Sequence, residues 1–349
     1  MSRTADFADT LLGWHARHGR HDLPWQHPRT PYRVWVSEIM LQQTQVKTVI
    51  PYFNVFMQRF PTLTALAEAP EAAVMQHWAG LGYYARARNL HRAAQQCLAS
   101  HGGELPEDFD ALLALPGIGR STAGAILSQA HGRRHAILDG NVKRVLTRFF
   151  AIDGDPSSAA VSARLWRTAE SLLPATRMAD YTQALMDLGA TLCTRAKPGC
   201  GVCPLAPQCQ AQRSGTVAQY PERKTRKPVP DRDIHMLVLQ RKDGAVLLER
   251  RPGSGIWGGL HSLPEAADET AARRLAKRLA RGVGGDPDCL PPFTHVFSHF
   301  RLNVRALHWR GCTPNAAIAG NDALSWLAPH EWPRIGLPAP IKTLLQDLP

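Results

Sequence analysis

Two carboxylates and four crowded cysteines are the residues whose types and spacing could do chemistry. Glu38 lies in PYRVWVSEIMLQQTQVKTVIPYF, an apolar stretch that reads as mostly helical. A carboxyl in such surroundings loses hydration, its pKa rises, and it can stay protonated near neutrality and act as an acid. Taken alone, a solvated Glu on an amphipathic helix fits the same residues. Asp139 opens Ile137-Leu138-Asp139-Gly140-Asn141-Val142, where an Asp just ahead of a helix caps its free N–H groups. Cys193, Cys200, Cys203 and Cys209 follow C-x6-C-x2-C-x5-C. Thiolates suit zinc or an iron–sulfur cluster, and the spacing alone does not choose between them.

Helices must hold these groups in place. Val142, Val145, Leu146 and Phe149 recur at helical spacing after Asp139, and Leu185, Leu188 and Leu192 do so ahead of the cysteines. Between helical stretches, Leu115-Pro116-Gly117-Ile118-Gly119-Arg120-Ser121-Thr122 forms a turn. Gly117 and Gly119 let the backbone bend sharply and approach a partner closely, and the helix that follows offers free N–H groups suited to a phosphate. The segment 213–231 has few large apolar residues, several prolines and a run of cations, which reads as a linker. Beyond it the period shifts toward two. Ile234–Leu239 and Ala245–Leu248 flank Lys242-Asp243-Gly244, a hairpin signal, and Thr294–Leu302 and Val304–Trp309 read as further strands. Thr270–Ala280 and Ile341–Leu348 read as helices. The expected architecture is multidomain: an all-α domain over 1–212 with a helical hairpin at 111–131 and a cysteine loop at 193–209, a linker over 213–231, and an α+β domain over 232–349.

A length of 349 residues suits two domains, and a net charge of +12 suits an anionic partner. The excess is +5 over 1–212, +3 over 213–231 and +4 over 232–349, so it is densest in the linker. Nucleic acid fits this, because each cation on a phosphate releases counterions. The N-terminus mixes charged and apolar residues, unlike a signal peptide or a membrane span. The expected location is the cytoplasm, at the nucleoid, with no membrane contact. There, clustered cysteines point to metal before disulfides.

Together these motifs resemble the endonuclease III and MutY glycosylases of the helix–hairpin–helix superfamily. LPGIG is similar to the hairpin signature, Ser37-Glu38-Ile39-Met40-Leu41-Gln42-Gln43-Thr44-Gln45 to the MutY pattern, and the cysteine spacing to the cluster loop. The resemblance is strongest over 20–145, firm over 181–209 and looser beyond 232, where it implies a Nudix-like domain. It implies a monomeric DNA repair glycosylase that removes adenine mispaired with 8-oxoguanine or guanine in double-stranded DNA, leaving an abasic site. Breaking a purine–sugar bond needs a proton on the departing base and negative charge beside the oxocarbenium-like sugar. The resemblance gives the first task to Glu38 at adenine N7 and the second to Asp139, with Asn141 holding the nucleoside. It also implies that Arg20, Leu23, Trp25, Leu41 and Ser121 line the adenine pocket. Gln43 and Tyr83 would enter the base stack, Gly117, Gly119 and Lys143 would meet DNA, and Arg195 and Lys197 would face phosphate. Phe297, Ser298 and His299 would read 8-oxoguanine, and the four cysteines would hold a [4Fe–4S] cluster.

Ser121 stands where bifunctional relatives carry a lysine whose amine attacks the sugar, so a monofunctional enzyme is expected. The alternative is an endonuclease III-type pyrimidine glycosylase/lyase, against which Ser121 and the C-terminal domain argue. A lesion reader without catalysis leaves Glu38 and Asp139 unexplained. A Nudix pyrophosphohydrolase does not fit, since Arg273-Arg274-Leu275-Ala276-Lys277 stands where metal-binding acids are needed.

Overall fold

The computed structural model describes residues 3–222, 229–253, 255–297, 299–316 and 321–348. The chain divides into two compact units, Met1–Glu68 with Asn89–Thr225, and Ala69–Arg88 with Arg226–Pro349.

The first unit is helical. Phe7, Leu11 and Trp14 from the helix Arg3–His18 share one core with Val142, Val145, Leu146 and Phe149 from Gly140–Phe149, and with Tyr181, Ala184 and Leu185 from Met178–Asp187. Full burial of a Leu- or Phe-sized side chain contributes about 1.5–3 kcal/mol, so this core holds together helices far apart in sequence. Arg3–His18 packs directly on Met178–Asp187.

The helix Pro31–Leu41 starts at Thr30, whose hydroxyl accepts from Arg33 N at 3.3 Å, with Pro31 in its first turn. It buries Val34, Trp35, Val36, Ile39 and Met40 and packs on the helix Arg120–His131. Between Leu115 and Gly119 the chain turns tightly, with Ile118 N donating to Leu115 O at 3.2 Å and Gly117 at φ 80°. A Cβ on Gly117 would sit 2.8 Å from Asn89 Cβ, so the residue must be glycine on two counts. Met178–Asp187 runs on into a π-helical turn, Leu188–Leu192. Within it a Cβ on Gly189 would lie 2.6 Å from Asn141 Cβ, so the missing side chain lets this turn abut the start of Gly140–Phe149.

The expected linker is partly anchored. Arg148 Nε donates to Tyr220 O at 2.9 Å, Tyr220 OH to Asp153 Oδ1 at 2.6 Å, and Gly154 N to Glu222 Oε1 at 2.8 Å.

The second unit carries strands β1 (Asp231–Leu239), β2 (Val246–Arg250), β3 (His261–Ser262), β4 (Glu265–Ala266), β5 (Ala280–Arg281), β6 (Asp288–Cys289), β7 (Phe293–Val296), β8 (Arg301–Trp309), β9 (Thr313–Pro314) and β10 (Leu324–Leu327). One sheet has the order β4-β1-β8-β6, with β7 also on β8; a second is β10-β2-β3; β5 and β9 form a pair. β1 and β8 run parallel, in register from Asp231↔Arg301 to Leu239↔Trp309. Leu237, Leu239, Leu307 and Trp309 pack with Ala272, Ala276 and Leu279 of the helix Glu269–Leu279.

Two strand expectations need correction. The turn at Lys242-Asp243-Gly244 forms, but the flanking strands share only the bridge Gln240↔Val246 before entering different sheets. Met236–Leu239 is buried throughout, and a strand covered on both faces sits inside a sheet between two other neighbours. The strand expected over 294–302 ends at Val296, and a strand begins again at Arg301.

Residues 69–88 belong to this unit. Arg88 donates to Gly258 O at 2.5 Å and Gln76 Nε2 to Pro333 O at 3.4 Å. Among the described residues no helix is long and apolar enough to cross a membrane.

Candidate active site

The helical unit holds a cavity of about 730 Å³ whose wall includes Glu38, Asp139 and Asn141. Arg20, Leu23, Trp25, Leu41 and Ser121 also line it. All the residues expected to be catalytic or to form the adenine pocket therefore meet at one place.

Glu38 reaches the cavity because Pro31–Leu41 turns most of its apolar residues inward and leaves Glu38 half-buried at the cavity edge. Gln129 Nε2, from the neighbouring helix, donates to Glu38 Oε1 at 3.2 Å. Burial, and then the negative charge of Asp139, push the Glu38 carboxyl up to about 7, against the opposing effect of the Gln129 hydrogen bond.

Asp139 caps Gly140–Phe149, with Oδ1 accepting from Val142 N at 2.8 Å and Oδ2 from Asn141 Nδ2 at 3.3 Å. Capping and facing the cavity are compatible, because only one oxygen is used on the helix backbone. Burial raises its pKa above the usual Asp value, with the Val142 N–H, the charge of Arg144 and Asn141 pulling the other way. Arg144 in turn donates to Asn141 Oδ1, Gly189 O and Cys193 O, each at 2.7 Å. Ser121 Oγ accepts from Leu138 N at 3.0 Å, which ties the hairpin's following helix to the segment leading into Asp139.

Arg20 is fixed by a residue that the sequence did not single out. Its N, Nε and guanidinium NH2 group donate to Asp187 at 2.7, 2.8 and 2.6 Å, and Gln183 Nε2 donates to the same carboxylate at 2.8 Å. His15 Nε2 lies 3.6 Å away. Burial would raise the pKa of Asp187, but His15, Arg20 and Gln183 hold it below the usual carboxylate range. Gln183 lines the cavity, and its Oε1 is buried with no hydrogen-bond partner among the described residues. Arg20 and Asp187 are 167 positions apart, so no local pattern could have paired them.

Other expected residues lie outside this cavity. Gln43 is exposed at φ 59°, directly beyond the end of Pro31–Leu41. Lys143 Nζ donates to Pro156 O at 3.3 Å and does not line the cavity. Gly119 is the N-cap of Arg120–His131, with Gly117 in the turn before it. In the second unit Tyr83 is 49% exposed at φ 50°. The guanidinium of Arg86 lies over both Tyr83 and Trp78, 5.6 and 5.3 Å from their ring centres. Both Gln43 and Tyr83 thus hold the left-handed backbone conformation that non-glycine residues seldom adopt, a strain that clusters at functional sites. Phe297 stacks on Phe300 at 4.6 Å and lies 5.7 Å from Trp257, while His299 is exposed. Ser298 lies outside the described residues.

The four cysteines line one small apolar cavity of about 30 Å³, closed by Val145, Phe149, Leu188 and Leu192. Arg148 donates to Cys193 Sγ at 3.4 Å and to Thr194 O at 2.7 Å. Among the described residues no group of His, Cys, Asp or Glu side chains is set to hold a metal ion as it stands. The shared cavity and its all-sulfur donor set are nevertheless what a thiolate-held cluster requires.

Comparison with known proteins identifies both units. Residues 36–171 match the HhH-GPD superfamily base excision DNA repair protein model, and residues 235–347 match the NUDIX domain. The adenine DNA glycosylase of Buchnera aphidicola (subsp. Acyrthosiphon pisum) is 36% identical over 98% of this chain and 97% of its own. That of Homo sapiens is 36% identical over 95% of this chain and 72% of its own. Among solved structures, a thermostable thymine-DNA glycosylase matches with a TM-score of 0.55 and 29% identity, over 60% of this chain and 97% of that one. Relatives similar along almost the whole chain, together with this chain's matches to the two domain models, leave one assignment: this chain belongs to the adenine DNA glycosylase family and is a DNA repair enzyme that excises adenine.

Proposed function

We propose that the enzyme hydrolyses the N-glycosidic bond of adenine opposite 8-oxoguanine or guanine in duplex DNA, acts as a monomer, and leaves an abasic site without cutting the strand. The observation that carries this reading is the meeting of Glu38 and Asp139 at one cavity, with Glu38 pushed up to about 7. An extruded adenine would receive a proton at N7 from Glu38, which makes it a neutral leaving group. Asp139 would face the cationic sugar, and Asn141 would hold the nucleoside beside it. Gln183 Oε1, an acceptor without a partner among the described residues, suits the exocyclic amine of adenine. Ser121 supplies no amine for a Schiff base.

Residues 1–212 would form the catalytic domain, 213–231 the linker and 232–349 the 8-oxoguanine recognition domain, through Phe297, Ser298 and His299. Gln43 and Tyr83, presented at strained turns, would fill the stack left by the flipped base, and Gly117, Gly119 and Lys143 would hold the backbone. Cys193, Cys200, Cys203 and Cys209 would hold a [4Fe–4S] cluster, which shapes the loop carrying Arg195 and Lys197.

Single-turnover release of free base from defined duplexes tests the reading. Adenine released from A:8-oxoguanine and A:G duplexes, with intact strands until alkali is added, is the expected result. Thymine release from T:G duplexes, or strand cleavage without alkali, would replace it with a pyrimidine glycosylase/lyase.

A further inference from the structure

We infer that Asp187 sets the hydrogen-bond polarity of Gln183, and that through this orientation the site selects a 6-amino purine over a 6-oxo purine. The inference rests on the adenine-releasing reading above and concerns a positioning residue that touches no substrate.

A glutamine amide can present either its oxygen or its NH2 group, and only its neighbours decide which. Here the neighbour is a carboxylate that is 0% exposed. Three donors of Arg20 already converge on it, at 2.6–2.8 Å. An ionised carboxylate accepts only, so Gln183 must turn its Nε2 toward Asp187, where it donates to Oδ1 at 2.8 Å. Gln183 is among the residues that line the cavity, and its oxygen is left buried and without a partner among the described residues. A buried, unsatisfied acceptor is costly unless a ligand supplies the donor.

Adenine carries an N6 amine at the position where guanine and hypoxanthine carry an O6 acceptor. Gln183 Oε1 can accept from the amine, whereas against O6 it sets two lone pairs face to face. Rejection of this kind is large, because a site with fixed polarity leaves its own group unpaired when the wrong base enters. Asp187 also restrains Arg20, so its loss has a second effect that must be separated from the first.

The test measures single-turnover release of adenine and of hypoxanthine, each opposite 8-oxoguanine, and takes the ratio of the two rates. Asp187→Asn can offer an amide donor to Gln183, which frees the glutamine to turn. The adenine-to-hypoxanthine ratio should fall by roughly tenfold or more. Gln183→Leu should lower it to a similar extent, and adding Asp187→Asn to Gln183→Leu should lower it no further. A purely structural role for Asp187 would slow both bases alike and leave the ratio unmoved, which would overturn the inference. So would a further loss of ratio in the double variant. Should Asp187→Asn fail to fold, an unchanged ratio in Gln183→Leu alone would be sufficient to reject it. If the parent enzyme released no adenine, the functional reading itself would fail, and that outcome is separately visible.

Discussion

Gln129 donates its side-chain amide to Glu38 Oε1 at 3.2 Å. An acceptor occupied in this way cannot carry the acid proton on the same side, so the proton of neutral Glu38 belongs on Oε2. The amide therefore orients the acid as well as restraining it.

The catalytic role of Glu38 has a pH signature. The group must be protonated to work, and its carboxyl sits at about 7, so adenine release should fall as pH rises through that value. Glu38→Gln keeps the shape and loses the proton; single-turnover release should drop by ~10²–10⁴-fold while mismatch binding persists. Near-parental cleavage by this variant would sink the assignment. Stability moves too. The folded pKa lies above the ordinary carboxyl value of 4.5, so between 4.5 and about 7 the native state binds more protons than the unfolded one, and stability falls as pH rises. Thermal melts should show Glu38→Gln gaining on the parent across that window and keeping the gain at higher pH.

Gln129→Leu removes a hydrogen bond that favours the charged carboxylate. The alkaline limb of the rate profile should therefore shift to higher pH. A shift to lower pH would mean that Gln129 stabilises the neutral acid instead.

Ser121 lines the cavity and accepts from Leu138 N. Ser121→Lys places an amine there, and borohydride should trap more protein–DNA adduct than with the parent. Equal trapping would place the sugar elsewhere. Some background trapping through Lys143, whose Nζ donates to Pro156 O at 3.3 Å, would not count against this.

Purified protein should be brown, and iron and sulfide analysis should give the four of each that a [4Fe–4S] cluster contains. Cys200→Ser should lower both. Because Arg144 and Arg148 join Gly140–Phe149 to Cys193 and Thr194, it should also slow adenine release at saturating DNA, beyond weakening binding. Colourless protein with stoichiometric zinc would overturn the cofactor assignment.

Selectivity for 8-oxoguanine should rest in part on a hydroxyl that accepts from its N7–H. Ser298→Ala should weaken the preference for 8-oxoguanine over guanine by about tenfold, within the ~1–3 kcal/mol of one good base contact. Point substitution is the cleaner test, because cutting the chain at 232 would also strip partners from residues 69–88. An unchanged preference would move the sensing role to Gln43 and Tyr83.

Much of the site was legible because its chemistry sits in short contiguous segments. Glu38 is held by the apolar period of its own helix, Asp139 by its capping position, and the cysteines by a spacing that one loop can close. What escaped is non-local. The Arg20–Asp187 clamp joins opposite ends of the helical unit, and Gln183 becomes informative only once its amide is seen to be half-used. Residues 69–88 fall inside the all-α domain expected over 1–212, yet they group with the C-terminal unit. The apparent hairpin at Gly244 misled for a related reason. Turn chemistry specifies the bend, whereas burial on both faces decides which strands pair.

The packing of Arg3–His18 on Met178–Asp187 bears on how the enzyme is made. Phe7 and Leu11 of the first helix are covered by residues of Gly140–Phe149 and then of Met178–Asp187, so they stay uncovered until chain more than a hundred positions downstream has been made. Domains generally fold as units during synthesis, and uncovered apolar surface invites aggregation. A message cut short before codon 187 would therefore yield a product without a finished base pocket and with a sticky amino-terminal helix.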